Sequence, residues 1–129
     1  MSVLTKEQIF AVPQQLQEVE VPEWGGSVFI RPITLQEQAK LADLGIQFEK
    51  ASVAIRMKKV TMQFILWAIV DADGNPLFSA EDLELMLTKS SKPFLRLQDQ
   101  ILKFSGLTEE ARAELAKNSG TVLTGNFDS

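Results

Sequence analysis

The chain has 129 residues, 45% of them hydrophobic and 23% charged, which is enough for one domain with its own core and too little for two. It contains no cysteine, histidine or tyrosine, so disulfides, thiolate nucleophiles and zinc–thiolate sites are excluded, and the commonest general base is missing. The net charge of −4 speaks against a nucleic-acid module, whose surface is ordinarily basic, and the lack of disulfides favours a reducing cytoplasm.

The N-terminus shows no basic segment followed by an apolar run, so no secretory signal is expected. Thr5 and Gln8 have capping-box spacing and predict a short helix from about Lys6, which Pro13 stops. Gln17 to Pro22 then alternates acid and valine with the period of a half-buried strand, and Pro22 confines that strand to an edge or ends it. The paired glycines of Glu23-Trp-Gly-Gly26 predict a turn. With the alternating stretch from Val28 to Ile33 they give a β-hairpin over 17–33.

Thr34-Leu-Gln-Glu37 is a full capping box. The helix it opens carries Leu35, Ala39, Leu41, Ala42 and Leu44, and Gly45 suits the position just past its end. A longer helix is predicted from about Glu49 to Val70. In it Val53, Met57, Val60, Phe64 and Trp67 step by four, three, four and three, a heptad stripe. After Met62 it is apolar nearly all round, as a central helix or one buried by a partner would be. The apolar stretch from Phe64 to Val70 is far short of the roughly 20 residues needed to span a bilayer, so no membrane association is expected.

Asp71-Ala-Asp-Gly-Asn-Pro76 predicts a turn. Ser79 caps a helix bearing Leu83, Met86 and Leu87. Pro93 suits the first position of another helix, which shows Phe94, Leu97, Ile101 and Phe104 at helical spacing and stops at Gly106. Thr108 caps a last helix with a weak face of Ala111 and Leu115. From Asn118 the chain is mostly small and polar, so residues 1–117 are expected to form one globular domain and 118–129 a disordered tail. The predicted fold is α+β and mostly α, an N-terminal β-hairpin packed with a bundle of about five helices.

Candidate sites are few. Asp71, Asp73, Asn75, Ser79 and Asp82 follow the oxygen spacing of a calcium loop, but Pro76 stands where the sharp turn needs glycine, and Asp82 replaces the longer bidentate glutamate. A plain turn explains the same residues, and no metal or other cofactor is expected. The carboxylate pairs Asp71/Asp73 and Glu109/Glu110 are explained by turns and caps, so no catalytic site is expected. Arg56, Lys58 and Lys59 lie on the polar side of the stripe and read as a solvated face. Two further sites concern partners. Trp24 at the hairpin tip is either an exposed contact residue or a ring folded back onto the helices. Phe64 and Trp67, on the stripe, fit the core better than an interface. The apolar excess of Phe64–Val70 and the open edges of a two-stranded sheet predict self-association.

One resemblance runs along most of the chain. The signatures appear in order: Ser2 to Phe10; Glu18-Val-Glu-Val-Pro-Glu-Trp-Gly-Gly26; the arginine-bearing Val28 to Ile33; Asp71 to Asp82; Gly106-Leu-Thr-Glu-Glu-Ala111; Ala116-Lys-Asn-Ser119. Together they resemble the tail assembly chaperones of long-tailed bacteriophages and prophages over residues 1–119. The resemblance implies a protein that binds the long helical tape measure protein in the host cytoplasm before the tail tube polymerises, and that is absent from the finished virion. Many members of that family are also made in a longer, frameshifted form, which makes such a form of this chain a candidate partner, together with further copies of the chain itself. The rival expectations are a minor structural protein of the particle, separated by virion proteomics, and a small DNA-binding regulator, separated by salt-dependent DNA affinity.

Overall fold

The computed structural model of the chain describes residues 2–108. The sequence-predicted helix after Thr108, the Glu109/Glu110 pair, the domain end at 117 and the tail over 118–129 lie outside the described residues.

The N-terminal helix α1 (Lys6–Ala11) begins with the expected capping box, in which Thr5 and Gln8 satisfy each other's backbone N–H. None of its residues is buried. Strands β1 (Gln17–Val21) and β2 (Gly26–Ile30) form the antiparallel hairpin, with Val19 opposite Val28 and Gln17 opposite Ile30. The alternation works as physics requires: Val19 and Val21 point into the core and Glu18 and Glu20 into solvent. Between the strands, Pro22–Trp24 form a 3-10 turn that Gly25 closes in the left-handed region at φ 75°.

Helix α2 (Leu35–Gln47) starts at the predicted Thr34/Glu37 capping box. The same Glu37 carboxylate pairs bidentately with Arg31, at 2.7 and 2.6 Å, and so fastens the helix start to the chain just after β2. Burial pushes the Glu37 carboxyl up, but hydrogen bonds from Arg31 and from the Thr34 backbone outweigh it, and the net shift is downward. Gly45 is not a terminator. The helix runs through it with ordinary negative φ, and Phe48 ends the helix by donating back to Leu44.

The predicted helix over 49–70 is three pieces. Helix α3 (Val53–Arg56), capped by Ser52, leads into a π-helical stretch (Met57–Thr61) and then helix α4 (Met62–Ala68). The wide turn holds an extra residue, with Met62 donating to Met57. That residue breaks the phase of the heptad stripe. Phe64 is buried, whereas Val53 and Met57 stand exposed. The helix also stops earlier than its apolar run. Ile69 and Val70 form strand β3, paired antiparallel with β2 through Phe29↔Val70 and Ile30↔Ile69. The sheet is therefore three-stranded, in the order β1-β2-β3. This corrects the two-stranded sheet on which self-association was argued, and β1, ahead of Pro22, is at its edge. Phe64, Ile65, Leu66, Ala68, Ile69 and Val70 are all buried in the chain's own core, so they offer no interface.

The Asp71–Asn75 turn returns the chain beside β3, with a bridge between Val70 and Pro76. The carboxylate of Asp71 accepts from the backbone N–H groups of Asp73 and Asn75, and Gly74 adopts φ 88°. Asp82 is likewise used as a cap, accepting from the Ser79 N–H at 2.8 Å. A 3-10 turn (Ala80–Asp82) then feeds the short helix α5 (Leu83–Met86). Helix α6 (Ser91–Phe104), capped by Ser90, starts two residues before the sequence suggested, so Pro93 takes the third position, where its missing N–H is still harmless. It buries Phe94, Leu97 and Ile101. It ends as a Schellman motif: Gly106 at φ 73° donates to Lys103 and Leu107 to Leu102.

The core lies where α4 and α6 cover the inner face of the sheet. Val21, Ile30, Ile65, Ile69, Leu97 and Ile101 are almost wholly withdrawn from water there. Ser105 ties the end of α6 to the sheet by accepting from Ile33 N–H at 2.9 Å. Among the described residues, no helix is long and apolar enough to cross a membrane.

Candidate apolar trough at the hairpin tip

The hairpin tip does not stand free. The Trp24 ring meets Phe94 of α6 edge to face, centroids 5.2 Å apart at 66°. Beside it, the Glu23 carboxylate forms a bidentate ion pair with Arg96, two residues on from Phe94 along α6, one leg at 2.6 Å. The Arg96 hydrogen bond, helped by Glu23's own backbone N–H, lowers the Glu23 carboxyl from 4.5 to about 2. The same bond raises the Arg96 guanidinium further above its ordinary range. Both alternatives for Trp24 are thus half realised, since the ring leans on α6 yet keeps 41% of its surface exposed.

Folded this way, the tip walls one side of an open cleft of about 530 Å³. Leu77 and Phe78, delivered by the turn after β3, and Leu85 of α5 line the remainder, over a floor of buried Met86 and Phe94. Asp82 and Lys89 are its charged lining. A second cleft, of about 290 Å³, shares Met86, Lys89 and Phe94 with the first and continues between α4 and α6 past Leu95 to Met57. The two form one apolar trough across the α5–α6 side of the domain. Its rim is bare: Trp24, Leu77, Leu85, Leu95 and Met57 are all large, apolar and exposed. These adjoining exposed apolar residues make the trough the candidate contact surface. Lys58 of the π-helical stretch pairs with Glu84 of α5 at 3.4 Å, so part of the basic cluster has a local use.

Of the three residues singled out from sequence, only Trp24 lines the trough. Phe64 is buried in the core and Trp67 is half-buried against it. Leu77, Leu85 and Leu95 were missed. Each sits out of phase with its element's buried positions or in a turn, and that mismatch was the available signal. Among the described residues, no group of three or more Asp, Glu, His or Cys side chains is placed to hold a metal ion.

The architecture is that of a small, mostly α, α+β protein with an open apolar trough. No protein-family model and no curated protein matches the sequence. Among solved structures, the fold matches that of the bacteriophage HK97 tail assembly chaperone, with a TM-score of 0.57 and 22% identity, over 76% of this chain and 94% of that one. The chain shares the fold of that structure.

Proposed function

We propose that the protein is a phage tail assembly chaperone that holds a helical segment of the tape measure protein in its apolar trough, keeping it soluble in the host cytoplasm until the tail tube polymerises. On this reading it leaves before the virion is finished and performs no chemical step. The fold likeness supports the class of protein. The observation that carries the binding mode is the trough itself, walled by Trp24 and rimmed by Leu77, Leu85 and Leu95. A tape measure protein, as the family resemblance implies, is a long helix with an apolar stripe and nothing to bury it before assembly. A helix of that kind is recognised by an apolar groove with anchors spaced along it. The net charge of −4 keeps the loaded complex soluble.

The test is co-expression with the tape measure protein of the same phage, followed by capture on a tagged chaperone. Leu85 is 63% exposed, so Leu85→Asp leaves the core intact. The expected result is an unchanged melting temperature with capture reduced at least tenfold. Full capture by Leu85→Asp and by Leu95→Asp would overturn the assignment of the trough.

A further inference from the structure

The trough holds one charge that the fold leaves unanswered. Glu23 pairs with Arg96 beside Trp24, and Lys58, next to Met57 in sequence, pairs with Glu84, so the charges at its two ends are balanced within the chain. Lys92 stands within electrostatic range of the Glu23 carboxylate. Asp82 is used as a cap, its carboxylate accepting from both the N–H and the hydroxyl of Ser79. Lys89 is different. It lines both clefts, at the place where they share Met86 and Phe94. It is exposed, and among the described residues no carboxylate pairs with it. Its backbone N–H donates to the Met86 carbonyl, which fixes the root of the side chain beside the trough floor.

We propose that Lys89 selects the helix that the trough binds: a segment whose apolar stripe is interrupted near its middle by a carboxylate, which Lys89 takes as an ion pair. This rests on the trough being the client site. Desolvation is the reason. A wholly apolar helix laid along the trough covers Lys89 and takes its ammonium out of water with nothing in return, unless the stem bends out to the rim. An aspartate or glutamate in the stripe removes that cost, because it meets the ammonium in a charge-assisted hydrogen bond that the apolar walls shield from salt. The same pair sets the register of the bound helix, since a shift by one turn leaves both charges unpaired. The chain carries −4 overall, so its field as a whole disfavours acidic clients, and Lys89 is what admits a carboxylate at this one place.

Three synthetic helices, each about five turns long with a leucine stripe, test this. They differ only in carrying Glu, Gln or Lys at the middle stripe position, and their binding to the full chain is read by fluorescence anisotropy. The Glu helix should bind at least about fivefold tighter than the Gln helix, and the Lys helix weakest. Lys89→Met keeps the apolar stem and should melt like the native chain, yet bring the Glu and Gln helices to within about twofold of each other. Lys89→Glu should make the Lys helix the tightest, and Lys92→Gln should leave the native preference in place. A preference for Glu that survives in Lys89→Met overturns the proposal. Equal binding of all three helices by the native chain, lost in Leu85→Asp, also overturns it and leaves the trough standing as the client site. If no helix binds, or if Leu85→Asp binds all three as the native chain does, the trough assignment fails and this inference falls with it.

Discussion

Replacing Trp24 by alanine tests whether the hairpin tip is part of the fold, part of the binding surface, or both. The ring is 41% exposed, so somewhat more than half of it is out of water. An aromatic side chain of this kind buries roughly 150–250 Å² when fully covered, so about 90–150 Å² is at stake. At roughly 25 cal/mol/Å², reduced for the Cβ that remains and for burial already present in the unfolded chain, this is about 2 kcal/mol. The edge-to-face contact with Phe94 adds about 0.5–1 kcal/mol. The Glu23–Arg96 pair still holds the tip, so the loss stays local. The expected cost of about 2–3 kcal/mol corresponds to a fall of about 8–12 °C in melting temperature for a domain of this size. Thermal melting by circular dichroism measures it, with Trp24→Phe as the variant that keeps most of the contact. A fall of under about 2 °C would mean that the ring does not bear on Phe94 in solution, and the geometry of the trough would be wrong. Capture of the tape measure protein is the second readout, expected to weaken by about 2 kcal/mol or more if the exposed part of the ring is an anchor. An early melt with full capture would leave Trp24 a packing residue only.

Acid should loosen the same tip. The folded Glu23 carboxyl is lowered to about 2 from 4.5, so its stabilising contribution is present above pH 4.5 and is lost as the pH falls from there towards 2. Trp24 fluorescence in a Trp67→Phe background should report that loss, and Glu23→Gln should abolish the pH dependence. In the core, Ile101→Ala removes a side chain with no exposure between sheet and helices; it should cost about 2–5 kcal/mol, read from chemical denaturation. Thr34→Ala removes a cap that accepts from Glu37 N–H at 3.1 Å and should cost about 1 kcal/mol, while Thr34→Ser should restore most of it.

Capping and turn chemistry was the most legible part of the sequence. Both predicted capping boxes, Thr5/Gln8 and Thr34/Glu37, form as complete reciprocal pairs, because each needs only residues three apart. The hairpin follows from the alternation of Val19 and Val21 with glutamates and from a glycine that accepts positive φ at position 25. The stop at Gly106 follows for the same reason. Tertiary structure decided what depends on partners far along the chain. Ile69 and Val70 continue an apolar helical run, yet they extend into a strand because Phe29 and Ile30, some forty residues earlier, offer an edge to pair with. The heptad stripe from Val53 to Trp67 fails because the wide turn at Met57–Thr61 rotates its two halves apart. Gly45 stays helical because nothing forces its φ positive. The trough was the least legible feature. Trp24, Leu77, Leu85 and Phe94 come from four separate elements, and a surface assembled across elements leaves no periodic mark on any one of them.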